Sequence, residues 1–216
     1  MNCLVTAGPT YEPLDEVRRL TSFSTGRLGS ELAGFLARQG HTVTLLLGYH
    51  ATYRGQPEVG TLEPFTTTID LRERLQRWSV QHVDAVFHAA AVSDFCFGKV
   101  WRRTPEGRLV EVQARKLPSS YGTFLAEMVP TPKVIGELRG WFPRAKLVGW
   151  KYEVDASRGE ALAKAAAQIA SCRTDACVVN GRAYGTGYGL VRSQAQCTHL
   201  EDDAALFRAL AALVET

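Results

Sequence analysis

The 216-residue sequence predicts an α/β fold: a doubly wound, Rossmann-like, mostly parallel sheet with a protruding hairpin-like excursion. Three observations predict it. Short apolar runs alternate with amphipathic stretches along most of the chain, the pattern of strands and crossover helices. Gly26 and Gly29 lie where a turn opens the first helix, as in nucleotide folds. A turn-bearing stretch, VWRRTPEGRLVEV, breaks the rhythm within 98–125. With no repeat, low-complexity segment or linker, a single domain over 1–216 is expected.

Taken in order, residues 2–6 (NCLVT) read as a buried strand, followed by the turn AGPT. Residues 27–39 read as a helix, because Leu28, Leu32, Phe35 and Leu36 share one face. Gly40 then ends it. The run 42–47 (TVTLLL) is apolar enough for a strand covered on both faces. A second helix over 67–79 carries Leu71, Leu75 and Trp78 on one side, and 84–88 (DAVFH) is the next strand. Past the excursion, Thr131 and Pro132 read as an N-cap and first helical residue, with a helix to about Leu138. A strand is expected at 145–149. Ser157 and Glu160 form a capping box for an alanine-rich helix ending near Cys172. Another strand covers 176–179, a glycine-rich loop covers 181–189, and Leu206, Leu210 and Val214 mark a final helix.

Composition narrows the function. A hydrophobic share of 45% and a charged share of 22% are those of a globular protein. The net charge of +3 suits a small anion and falls short of a nucleic-acid-binding signature, so no nucleic-acid partner is expected. No run reaches the roughly 18 apolar residues of a membrane span, and the N-terminus lacks the pattern of a secretion signal. Five cysteines without a CxxC pair read as free thiols, which places the chain in a reducing cytoplasm.

Glycines between a strand and a helix let backbone N–H groups approach a phosphate. A nicotinamide-dependent reductase is one class that uses such a turn. It would carry an acidic residue after the second strand for the ribose. That strand reads TVTLLLGYH and has none. A short-chain dehydrogenase would also need a Tyr with Lys four residues on, and no Tyr in the sequence has one.

A second class accounts for far more of the chain. The opening 5-VTAGPTYEPLDEVRRLTSFSTGRLG-29 resembles that of phosphopantothenoylcysteine synthetase, the synthetase domain of the bacterial DNA/pantothenate metabolism flavoprotein. That family opens with T-A-G-x-T, x-P-(L/I), a V-R pair and N-x-S-S-G-(K/R)-x-G. Five later segments are similar in order: 89-AAAVSDF-95, 115-RKLPSS-120, 127-EMVPTPKVI-135, 148-VGWKYE-153 and 175-DACVVN-180. Together the six segments span nearly the whole chain.

The resemblance implies a ligase of coenzyme A synthesis that joins 4′-phosphopantothenate to cysteine. The substrate carboxylate attacks the α-phosphorus of CTP or ATP, pyrophosphate leaves, and the cysteine amine displaces the nucleotide from the acyl-nucleotidylate. Catalysis of this kind rests on positioning and charge stabilisation, and Mg²⁺ is expected with the nucleotide. Lys116 matches the lysine the family requires, and Arg18 would hold a substrate phosphate or carboxylate. The nucleotide and substrate would lie against Gly8, Pro9, Thr10, Ser24, Thr25, Gly26, Ala90, Ala91, Asp94, Pro132, Trp150 and Asn180. Metal ligands are not legible. No flavin is expected, because the decarboxylase half is not part of this sequence. A homodimer joined through the excursion is expected.

The sequence departs from the family at Ser22, which stands where an asparagine holds the intermediate. On the later helix, Gln168 and Cys172 stand where the bacterial pattern has lysines, and Lys151 is closer to the ATP-using branch. A divergent paralogue with another amide-forming substrate, or without catalysis, is the alternative these departures leave open.

Overall fold

The computed structural model describes residues 1–215. Eight strands form the main sheet. In chain order these are β1 (Asn2–Ala7), β4 (Thr42–Gly48), β5 (Thr61–Phe65), β6 (Ala85–His88), β10 (Lys146–Tyr152), β11 (Ala176–Asn180), β12 (Tyr188–Ser193) and β13 (Gln196–Leu200). Their spatial order is β13-β12-β11-β10-β6-β1-β4-β5. The pairings from β5 through β11 are parallel, and β12 and β13 add an antiparallel hairpin at one edge. The chain runs outward from β1 in both directions, so the order reverses between β1 and β6. Open α/β sheets form their ligand crevice at such a point, beyond the strands' carboxyl ends.

Five helices cover the sheet. Helix α1 (Arg27–Arg38) packs beside α5 (Asp203–Val214) on one face, over Val5, Leu45, Phe87 and Val178. On the other face α2 (Thr68–Trp78), α3 (Val134–Trp141) and α4 (Arg158–Cys172) run side by side. There Leu71, Leu75 and Leu138 bury against Leu4, Leu46, Val86 and Leu147. Neighbouring strand residues serve opposite cores, which is why these strands read as unbroken apolar runs. The expected capping box is present: Ser157 Oγ accepts the Glu160 N–H, and the Glu160 carboxylate accepts the Ser157 N–H.

The excursion is a separate three-stranded antiparallel sheet of β7 (Phe95–Arg103), β8 (Leu109–Glu111) and β9 (Phe124–Pro130), in the order β8-β7-β9. It therefore extends beyond the expected 98–125 on both sides. The turn falls where Pro105, Glu106 and Gly107 placed it, closed by the Gly107 N–H donating to the Thr104 carbonyl. A small hairpin, β2 (Tyr11–Pro13) with β3 (Arg19–Thr21), was not expected. Nor was β5, whose Pro64 is tolerated because the strand lies at the sheet edge.

One helix start differs from expectation. Helix α3 begins at Val134 with Lys133 as N-cap and no side-chain cap. The Thr131 hydroxyl is committed elsewhere, donating to the Ser93 carbonyl at 2.5 Å, so Thr131 fastens the turn after β6 rather than capping α3.

Candidate functional site

A cavity of about 890 Å³ opens at the carboxyl ends of β1, β6, β10 and β11, at the reversal of strand order. Gly8, Ser22, Ser24, Thr25, Gly26, Ala90, Ala91, Asp94, Pro132, Trp150 and Asn180 all line it. Residues dispersed over 170 positions of sequence thus meet in one crevice, because the parallel strands β1, β6, β10 and β11 all end on the same side of the sheet.

The turn into α1 forms one wall. Gly26 takes φ +80°, a left-handed conformation that a side chain disfavours. A Cβ there would lie 3.0 Å from Ala51 Cβ and 3.3 Å from Gly8 Cα, so this turn is packed directly on the turn after β1. The Thr25 hydroxyl accepts the Arg27 N–H at 3.2 Å. The following N–H groups of the first helical turn have no acceptor within the helix and carry its positive dipole end. Arg27 itself is held by Glu31 and Asp203, each at 2.6 Å. Asp203 also accepts the Tyr188 hydroxyl, which ties the start of α1 to the start of α5 and to β12. Burial and then the Asp203 bond push the Tyr188 hydroxyl up to about 12.

The turn after β6 forms the floor. The Ala91 N–H donates to the Gly8 carbonyl, and the Thr10 N–H donates to the Ala91 carbonyl. Thr10 Oγ1 accepts the Ser93 N–H at 2.8 Å. Pro9 and Thr10 therefore stand behind the cavity wall and hold it, while Gly8 faces it. The Asp94 carboxylate is exposed at the mouth with no hydrogen-bond partner among the described residues. Phe23 is fully exposed at the same mouth, and among the described residues Ser22 Oγ accepts only the Ser24 N–H, at 3.4 Å. Trp150 packs against the α1/α5 core and lines the cavity, and its Nε1–H is buried without a partner among the described residues.

Arg18 and Lys116 lie outside the lining. Arg18 pairs with Asp15 at 2.9 Å and donates to the Leu117 carbonyl at 2.5 Å. The Asp15 carboxylate accepts N–H groups from Leu117, Val17 and Arg18. Burial would raise its pKa, and these bonds with the Arg18 charge more than offset that, holding it below the usual carboxylate range. The 14–18 turn and the 115–118 loop are thus one clasped unit, with Leu117 buried and Lys116 exposed.

The cavity also holds cations that sequence reasoning did not assign to it. Lys133 and Lys151 both line it with no ion-pair partner among the described residues. His88, at the end of β6, was missed altogether. It is 5% exposed, and burial pushes its imidazole down to about 4, so it is neutral at ordinary pH. A buried-type run ending in His carries no sequence signal that separates a packed ring from a ligand-facing one. A second, open groove of about 840 Å³ runs between the 181–187 loop and Glu201–Ala204 and shares Tyr152, Asn180 and Tyr188 with the first. No cluster of three or more His, Cys, Asp or Glu side chains suited to a metal ion occurs among the described residues.

Comparison with known proteins supports the motif reading. Residues 1–209 match the DNA/pantothenate metabolism flavoprotein C-terminal domain family. A coenzyme A biosynthesis bifunctional protein CoaBC of Thermococcus kodakarensis is 32% identical over 187 residues, covering 85% of this chain and 42% of that protein. The chain thus spans less than half the length of this curated relative. The crystal structure of the DNA/pantothenate metabolism flavoprotein from Streptococcus pneumoniae superposes with a TM-score of 0.82 at 22% identity, covering 100% of this chain and 98% of that one. A Cab2 mutant in complex with phosphopantothenate-cysteine gives 0.69 at 18% identity, over 100% of this chain and 89% of that one. With nearly every residue inside the family match and the same α/β fold in these structures, the chain belongs to the phosphopantothenoylcysteine synthetase family, that of the DNA/pantothenate metabolism flavoprotein C-terminal domain.

Proposed function

We propose that the chain is a phosphopantothenate–cysteine ligase working through an acyl-nucleotidylate. The observation that carries this reading is the cavity's wall of unpaired cations and helix-terminal N–H groups: Lys133, Lys151 and the turn into α1. That combination suits a nucleoside triphosphate. Lys133 and Lys151 would face two of its charges, and the α1 turn offers backbone donors at a positive dipole end. The carboxylate of phosphopantothenate attacks the α-phosphorus and pyrophosphate departs. The cysteine amine then attacks the acyl carbon, loses a proton and expels the nucleoside monophosphate. The protein's part is to align the reactants and stabilise charge on the α-phosphate. Mg²⁺ would arrive on the nucleotide's phosphates, since it needs only one or two protein carboxylates, and Asp94 offers a free one. Whether CTP or ATP serves is decided by assay. No flavin takes part.

In this reading Lys116 stabilises the charged α-phosphate, and Arg18 positions substrate. Both sit on the clasped 14–18/115–118 unit outside the single-chain cavity, so the reading requires that unit to close over the site or a second copy to complete it. A homodimer through the excursion accords with this. Its sheet exposes Phe95, Leu109, Val110, Met128 and Val129. Sedimentation at micromolar concentration tests the dimer, and a monomer there removes it. The reading places the chain in the cytoplasm, in keeping with five free cysteines.

Ser22, and Lys116 standing outside the cavity lining, favour one alternative, a paralogue that binds nucleotide without making this product. Pyrophosphate release from CTP and from ATP, with and without phosphopantothenate, separates the two. Release that depends on phosphopantothenate supports the ligase. Nucleotide binding without it supports the paralogue.

A further inference from the structure

A third cavity, of about 330 Å³, lies beside α1 and shares no lining residue with the crevice at the strands' carboxyl ends. Ser30, Gly34 and Arg38 stand four residues apart along α1 and form one stripe of the helix. Tyr53, Gln56 and Pro57, from the segment between β4 and β5, line the cavity with that stripe, and Phe207 of α5 completes the lining.

Gly34 makes the space. A Cβ there would lie 3.3 Å from Arg38 Nη1 and 3.3 Å from Pro57 Cβ. Helical side chains lean toward the N-terminus, so the Arg38 guanidinium reaches back over Gly34. It has no ion-pair or hydrogen-bond partner among the described residues. Glu31, the acid of the lining, is taken by Arg27 at 2.6 Å. Ser30 supplies an independent sign. It is 1% exposed, and its Oγ is buried without a hydrogen-bond partner among the described residues. A buried hydroxyl left unpaired is costly until a ligand satisfies it.

We propose that this cavity binds a small monocarboxylate with a short apolar chain. Because Arg38 folds back to the level of Gly34, its guanidinium and the Ser30 hydroxyl stand one helical turn apart, about 6 Å along the axis. A carboxylate hydrogen-bonded on both sides fills such a gap. The planar fork of Arg38 matches its two oxygens, the Ser30 hydroxyl donates to one of them, and the chain lies against Pro57 and Phe207. A dianionic phosphate is disfavoured, because Glu31 borders the cavity and Arg38 belongs to the last turn of α1, the negative end of the helix dipole. The proposal goes beyond the ligase reading and does not depend on it.

The experiment is titration of the isotope-labelled chain with sodium butyrate, butyramide and inorganic phosphate at neutral pH, followed by backbone amide chemical shifts. Butyrate should give saturable shifts at Ser30, Gly34 and Gln56 with a Kd of roughly millimolar order. Butyramide and phosphate should bind at least roughly tenfold more weakly. Arg38→Gln and Ser30→Ala should each weaken butyrate by roughly tenfold. Ser30→Ala should do so without lowering the melting temperature of the free protein, a combination that a merely structural serine would not show. Arg38 is exposed, so Arg38→Gln is expected to fold, and it decides alone if Ser30→Ala does not. The absence of saturable shifts with butyrate overturns the site. Equal binding of butyramide, tighter binding of phosphate, or unchanged butyrate binding in a folded variant overturns the assignment of a carboxylate held by these two residues.

Discussion

Lowering the pH from 7.5 to 5.0 is expected to destabilise the fold through one buried ring. Burial holds the His88 imidazole at about 4, against 6.5 in the unfolded chain. Between those values the unfolded state binds more protons than the folded one, so stability falls as pH falls. The contribution is fully present above about pH 6.5, declines through the window, and is lost below about 4. Over the 7.5-to-5.0 step the linkage amounts to about 2 kcal/mol, with a limit near 3 kcal/mol at lower pH. For a chain of this size that is a fall in Tm of about 4–8 °C. The carboxylates of Asp15, Asp84, Glu160 and Asp203 are shifted the other way, below their ordinary values. Their stabilisation is lost only at lower pH, so the chosen window isolates histidine. His50 is also pushed down, by burial and then by Arg19, and it adds a loss of the same sign. The comparison is therefore wild type against His88→Gln, which cannot titrate. Thermal melts at both pH values should show a smaller drop in the variant by most of those degrees. Equal drops in the two proteins would refute the neutral, buried assignment of His88.

Three further perturbations test the site. Gly26→Ala forces a side chain into φ +80° and against Ala51, Leu47 and Gly8; about 2 kcal/mol of stability should be lost, read as a lower midpoint in urea, with nucleotide affinity falling as well. Lys116→Gln should leave the melting curve unchanged, since the side chain is exposed, while cutting acyl-nucleotidylate formation on the order of 10²–10³-fold; wild-type turnover would make Lys116 a spectator. Ser22→Asn should raise turnover roughly 10-fold or more by restoring a charge-assisted hydrogen bond worth about 1.5–3 kcal/mol, and a slower variant would show a site rebuilt around serine.

The parts of the fold that sequence made legible are those fixed by local physics. Helices α1, α4 and α5 announced themselves by 3.6-residue periodicity, a capping box and Gly40, all of which act within one or two turns of chain. Strands β1, β4, β6 and β11 read clearly because burial on both faces leaves no polar position to confuse the pattern. What stayed hidden depends on partners distant in sequence. β5 alternates and contains Pro64, and only its place at the sheet edge makes it a strand. Thr131 has the residue type of a helix cap, and a carbonyl 38 positions earlier claims its hydroxyl.

The same division runs through the candidate site. Glycines and the Ala90–Ala91 pair are legible because close backbone approach admits few alternatives. Lys116 illustrates the limit from the other side. Its motif places it in the chemistry, but a motif fixes neighbours along the chain and not the distance across a cavity. The loop that bears it is anchored by Asp15 to another loop, and Lys116 does not line the cavity that Asp94 and Trp150 line. His88 is the converse case. Nothing in DAVFH marks its ring as different from a packed core residue. Its standing depends on Thr6, 82 positions away, bonding one ring nitrogen, and on the ring lining the cavity. A residue can thus belong to a motif and not line the cavity of one chain, or line it with no motif at all. What separates the two is contact between elements distant in the chain.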